Sequence, residues 1–230
     1  MDDREDLPRK MVAEFLGTMG LIIAVIGSVA LVNFTFGSGG VFNVLVQGIA
    51  AALVLFAMIE ALGKISGGHF NPAVTIAMLL SKDISAKNGM FYIVAQILGG
   101  LAGALLLLVT FYDPAVGFDL VIRDGSPDTL MYLAISEFVC VFMLVTVVFC
   151  CVRSGSKKTS LAVGATVGGM IMCTASTFFA NPAVDIARIF TNADCGISPV
   201  VAAVYIVAAI LGAIAAALVL SWLYPKESAA

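Results

Sequence analysis

Charge is what this sequence has least of. Lys, Arg, Asp and Glu make up 12% of its 230 residues, about half the usual share in a soluble domain. Histidine is reduced to His69 alone, so a His-rich metal site or a paired-histidine haem is excluded. The five cysteines (Cys140, Cys150, Cys151, Cys173 and Cys195) are odd in number and show no Cys-x-x-Cys spacing. That argues against a disulfide framework and against zinc, and no cofactor is expected. The net charge of −3 points to no highly charged partner, and nucleic acid is excluded. What fills the chain instead is apolar: 61% of the residues, with a mean hydropathy of +1.07. Disorder and an ordinary cytosolic enzyme are excluded on the same ground. The lipid bilayer is this protein's solvent.

Six stretches are long enough to cross a hydrocarbon core of roughly 30 Å, which takes about 20 apolar residues. They run Met11–Val32, Val41–Leu62, Phe91–Tyr112, Leu130–Val152, Ser160–Phe179 and Pro199–Tyr224. The first exceeds the roughly 7–15 residues of a signal-peptide core and is expected to be retained as a helix. Two further apolar stretches, Phe70–Leu80 and Ala180–Phe190, are about half a span long and are expected to be re-entrant half-helices. Such backbone is tolerated at membrane depth only where protein or a water-filled cavity surrounds it. The fold class expected is therefore all-α and integral to the membrane, with six transmembrane helices plus two half-helices.

Basic residues orient the chain. Arg4, Arg9, Lys10, Lys64, Lys82, Lys87, Arg153, Lys157, Lys158 and Lys226 fall on one side, against Arg123 and Arg188 on the other. This bias predicts both termini in the cytoplasm, in the cell membrane. Asp113, Asp119, Asp124 and Asp128 form an acidic outer loop, expected to be solvated.

The sequence also repeats itself. The run starting Tyr92-Ile-Val-Ala-Gln-Ile-Leu-Gly matches the run starting Tyr205-Ile-Val-Ala-Ala-Ile-Leu-Gly, and Asn71-Pro-Ala-Val-Thr-Ile-Ala matches Asn181-Pro-Ala-Val-Asp-Ile-Ala. Ala-Glu-Phe at Glu14 is echoed by Ser-Glu-Phe at Glu137. A single membrane domain over 1–230 is expected, with one repeat over 11–112 (half-helix 70–80) and a second over 130–224 (half-helix 180–190). Three spans per repeat is an odd number, so the copies must be inverted. Gly99/Gly103 and Gly164/Gly168 have the four-residue spacing that lets helices approach closely in lipid.

The doubled Asn-Pro-Ala (Asn71, Pro72, Ala73 and Asn181, Pro182, Ala183) carries chemistry. Asparagine caps a helix by accepting first-turn N–H groups, and proline fits the next position, where a missing N–H costs nothing. The asparagine amide then points its donors away from the helix. Inverted symmetry brings the two donors and the two positive helix ends to one spot.

With Ala-Glu-Phe-Leu-Gly-Thr at 13–18 and Ile-Ser-Gly-Gly-His-Phe-Asn-Pro-Ala-Val-Thr at 65–75, the whole chain resembles the aquaporin and glycerol-facilitator (major intrinsic protein) family. The resemblance implies a homotetramer with one pore per subunit, passing water and small neutral solutes passively. It implies that Asn71 and Asn181 are the central donors, and that Glu14 and Glu137 brace the re-entrant loops rather than relay protons. It also implies that His69 stands beside the pore on the cytoplasmic side in a structural role.

One departure bears on selectivity. Most family members carry arginine three residues after the second asparagine, at the outer constriction; here Val184 stands there. By family spacing the other filter positions are Ala51, Phe178 and a fifth-span residue. Counting back from Asn181 gives Gly169 for the last, whereas aligning the start of that span gives Ile171. Either way the constriction is expected to be neutral and, with Ala51 in place of an aromatic ring, wider. Asp185 follows as in glycerol facilitators, and the pattern resembles microbial members associated with arsenic resistance. Glycerol, arsenous acid or other metalloid hydroxides, ammonia and water are the candidate solutes. Arg188, one turn beyond Val184, either restores part of the positive barrier or pairs with Asp185 in the outer vestibule. The rival functions are a plain water-selective pore, a pore leaking cations or protons, and a coupled transporter. An intramembrane enzyme is not supported, because Cys140 and Cys173 have only His69 to recruit.

Overall fold

Apolar helices in lipid satisfy their backbone internally and are then held together by close packing. The computed structural model describes residues 3–37, 39–111, 127–191 and 193–225. The side chains of Arg4, Asp113, Asp119, Arg123, Asp124, Asp128 and Lys226, part of the charge pattern above, lie outside the described residues. The helices are α1 (Asp3–Phe36), α2 (Val41–Ser66), α3 (Pro72–Leu80), α4 (Ala86–Thr110), α5 (Pro127–Arg153), α6 (Thr159–Ile171), α7 (Pro182–Ala187) and α8 (Pro199–Leu223). A 3₁₀ turn, Arg188–Phe190, extends α7.

Helices α1, α2, α4, α5 and α8 are each long and apolar enough to cross a membrane. The expected fifth span, Ser160–Phe179, is not one helix: α6 has 13 residues, about 20 Å at 1.5 Å per residue. Its end is stopped by local bonds. Met172 N–H folds back to Gly169 and Met170 carbonyls, and Thr174 Oγ1 donates to Met170 O at 2.7 Å. Thr177, Phe178 and Ala180 then adopt positive φ. Residues 172–180 are apolar enough to pass for helix, but they form the irregular segment that leads into the second half-helix.

The two halves pack alike. Helix α1 packs on α2 and α4, while α5 packs on α6 and α8; α2 meets α6 across the middle. The half-helices exchange sides, α3 packing on α8 and α7 on α4. Close approach depends on glycine. A Cβ at Gly99 would collide with the Phe15 carbonyl, and one at Gly103 would stand 2.9 Å from Met19 O, so α4 lies directly on α1. Gly164 and Gly168 do the same for α6 against Ala52 and Gly48 of α2. Each span that follows a half-helix opens on a serine cap: Ser85 accepts from Asn88 N–H, and Ser198 from Val201 N–H. Arg153 at the end of α5 clasps Asp83 after α3 through Nη2, at 2.8 and 3.2 Å.

Candidate functional site

The site forms where α3 and α7 meet end to end in the interior. Asn71 caps α3: its Oδ1 accepts from Ala73 N–H at 2.8 Å and Val74 N–H at 3.4 Å. Asn181 caps α7, accepting from Ala183 N–H at 3.0 Å. Pro72 and Pro182 hold the first helical positions. Each amide then reaches across: Asn71 Nδ2 donates to Ala180 O at 2.7 Å, and Asn181 Nδ2 to Phe70 O at 2.9 Å. These two carbonyls are aimed by strain. Phe70 and Ala180 hold φ of 48° and 46°, a left-handed conformation costing non-glycine residues roughly 1–3 kcal/mol each. Each amide nitrogen carries two hydrogens, so one donor per asparagine remains beyond the reciprocal bond. Both asparagines line a cavity of about 190 Å³.

Two carboxylates hold the strained turns. Glu14 on α1 accepts from His69 N–H (3.0 Å) and Phe70 N–H (2.7 Å); Glu137 on α5 accepts from Phe179 N–H (3.1 Å) and Ala180 N–H (2.6 Å). Both are fully buried. Glu14 also accepts from Ser66 Oγ at 2.5 Å and Gln96 Nε2 at 2.7 Å. Gln96 bonds Thr75 Oγ1 at 2.9 Å as well, and Thr75 lies 3.1 Å from His69 Nδ1. His69 stacks edge-on against Tyr92 and lines the cavity. Gln96, Thr75 and Ser66 were missed from the sequence. Gln96 carried a signal, since the matching residue of the second repeat is Ala209.

The sequence model described as "Major intrinsic protein" matches residues 3–178. The chain belongs to the major intrinsic protein family. It is 34% identical over 218 residues to "Aquaglyceroporin AqpS" of Rhizobium meliloti (strain 1021), covering 95% of this chain and 91% of that protein. It is also 34% identical over 155 residues to "Aquaporin-4" of Mus musculus, covering 65% of this chain and 45% of that protein. The X-ray structure of the aquaglyceroporin from Plasmodium falciparum shares the fold, with a TM-score of 0.67 at 22% identity over 93% of this chain and 95% of that one.

Within this family framework the wall around the asparagines is legible residue by residue. Val184, Ile171 and Phe178 line the cavity. Gly169 does not: it is exposed on the outer face of α6, where an added Cβ would meet nothing within 4 Å. Ala51 does not either. It is fully buried, while Gln47 and Leu55, one turn to either side on the same face of α2, line cavities. Its methyl group stops short of the lumen, which Gln47 and Leu55 reach instead.

Arg188 brings a positive charge to this apolar wall. Only 3% exposed, it lines both the first cavity and a second, of about 460 Å³, that continues from it toward Asn43 and Asp194. Its Nε donates to Cys195 O at 2.7 Å, and its guanidinium lies 3.6 Å from the centroid of the Phe179 ring. The cavity wall is therefore not free of arginine; the charge enters one turn after Val184. The expected pairing of Arg188 with Asp185 is not formed. Asp185 is fully buried, away from any vestibule, and neither carboxylate oxygen has a hydrogen-bond partner among the described residues. Among the described residues no three His, Cys, Asp or Glu side chains gather as a metal ion would require.

Proposed function

We propose that this protein is a passive channel for water and small uncharged solutes: glycerol, arsenous acid or other metalloid hydroxides, and ammonia. The observation that carries this reading is the pair of asparagine amides facing one membrane-buried cavity from opposite half-helices. Most of the wall is apolar, including Val74, Val163, Val167, Ile171 and Val184. A passing molecule therefore exchanges hydrogen bonds chiefly with Asn71 and Asn181. As is general for aquaporin-type channels, the positive ends of the two half-helices oppose protons and cations there.

The selectivity filter in this proposal comprises Val184, Ile171, Phe178 and Arg188, with Glu14, Glu137 and His69 supporting the loops. An apolar wall with one displaced cationic donor favours solutes with a hydroxyl edge and an apolar body. The polypeptide acts as one channel unit built from two inverted repeats. It assembles as a homotetramer in the cell membrane with both termini cytoplasmic. Lys82, Lys87, Lys157 and Lys158 beside Asp83 and Arg153 make the cavity end at Asp83 the inner mouth.

Stopped-flow light scattering of proteoliposomes, run with water, glycerol and arsenous acid gradients, tests the proposal. All three are expected to permeate faster than in empty vesicles. Fast water flux with no solute flux would instead identify a water-selective pore.

A further inference from the structure

One of the contacts that hold Arg188 is a carbonyl, so whatever fixes that carbonyl helps to fix the guanidinium. The acceptor belongs to Cys195, and its neighbour Asp194 is tied from both sides. Asn33 at the end of α1 donates Nδ2 to Asp194 Oδ2 at 2.9 Å and accepts Asp194 N–H on Oδ1, also at 2.9 Å. Asn43 in the first turn of α2 donates Nδ2 to the same Oδ2 at 2.6 Å. The loop has little slack between these anchors. Ile197 N–H returns to Arg188 O at 3.1 Å, Gly196 N–H to Ala193 O at 2.8 Å, and a Cβ at Gly196 would collide with the Thr191 carbonyl.

We propose that Asn33, Asn43 and Asp194 form a clamp that positions Arg188 in the pore and so sets its selectivity. The proposal rests on the filter role given to Arg188 above. The clamp joins three separate pieces of chain: the end of α1, the start of α2 and the loop after α7. Its free energy comes from amide-to-carboxylate bonds, which are stronger than neutral ones because the acceptor is charged. The side chains of Asn33, Asn43 and Asp194 are positioning residues; the solute meets Arg188.

Two readouts test the clamp. The first is the rate at which phenylglyoxal modifies Arg188, followed by mass spectrometry of the reconstituted protein. The second is the ratio of glycerol to water permeability. Asp194→Ala removes both bonds to Oδ2 and is expected to raise the Arg188 modification rate at least about tenfold, tenfold being roughly the factor for one strong hydrogen bond. It is also expected to move the permeability ratio toward that of Arg188→Ala, with no added effect in the double variant. Asp194→Asn, whose amide oxygen can still accept both bonds but without the charge, is expected to give a smaller rise than Asp194→Ala. Should Asp194→Ala fail to insert, Asn33→Ala retains the Asn43 bond and is expected to give a smaller rise in the same direction. An unchanged Arg188 modification rate in a water-conducting clamp variant would overturn the proposal, as would Asp194→Asn behaving like Asp194→Ala. A permeability ratio unaffected by Arg188→Ala would overturn the filter role of Arg188 instead, while the modification rates still decide the clamp.

Discussion

Replacing Glu14 by glutamine exchanges one carboxylate oxygen for an amide nitrogen, which cannot accept a hydrogen bond. Each oxygen of Glu14 receives two donors: Ser66 Oγ and His69 N–H on Oε1, Phe70 N–H and Gln96 Nε2 on Oε2. Whichever way the amide turns, two buried donors lose their acceptor. At roughly 1–3 kcal/mol for each unsatisfied donor, the cost is about 2–6 kcal/mol. The same exchange at Glu137 deprives one backbone donor, Phe179 N–H or Ala180 N–H, at about 1–3 kcal/mol. Glu14→Gln is therefore expected to destabilise the channel about twice as much as Glu137→Gln. The thiols of Cys140 and Cys195 are buried, so a thiol-reactive dye reports unfolding as the detergent-solubilised protein is heated. The unfolding midpoint should fall for both variants and further for Glu14→Gln. Equal shifts, or the reverse order, would refute the accounting by donors.

The other expectations concern the pore wall and the packing. Asn71→Asp replaces the donor to Ala180 O with a carboxylate oxygen; acceptor facing acceptor in the membrane interior should abolish most water flux in the proteoliposome assay. Ile171→Ala removes a side chain from the cavity wall and should raise glycerol flux relative to water. Gly169→Ala points away from the pore into open space. It should leave flux unchanged and, by helix propensity, stabilise by up to about 1 kcal/mol. Gly99→Ala drives a methyl group into the Phe15 carbonyl. The roughly 1–3 kcal/mol of overpacking should lower the unfolding midpoint and leave the ratio of glycerol to water flux unchanged.

Much of the site was legible because polar residues are conspicuous in a chain this apolar. Asn71, Asn181, Glu14 and Glu137 stand at matching places of two repeats, and the doubled pattern implied that they act together. Gln96 was legible in the same way, as a polar departure from its repeat partner Ala209, yet its bonds to Glu14 and Thr75 were not foreseen. The fifth span was misjudged because hydropathy reports a segment's solvent, not its backbone. Residues 172–180 are apolar whether they run as helix or as an irregular segment.

The amino-acid order by itself determined that the chain lives in a bilayer, that it is a duplicated unit, and that it contains two asparagine-capped half-helices. Composition, periodicity and local caps are properties of residues near in sequence, and these conclusions need nothing more. Only the tertiary structure decided that Arg188 reaches the cavity that Val184 also lines. The Cys195 carbonyl and the Phe179 ring hold that guanidinium. Asn33 and Asn43 bond the Asp194 beside Cys195 from 161 and 151 residues away in the chain. A charge is placed by all the groups that surround it, and folding from distant parts of the chain is what brings them together.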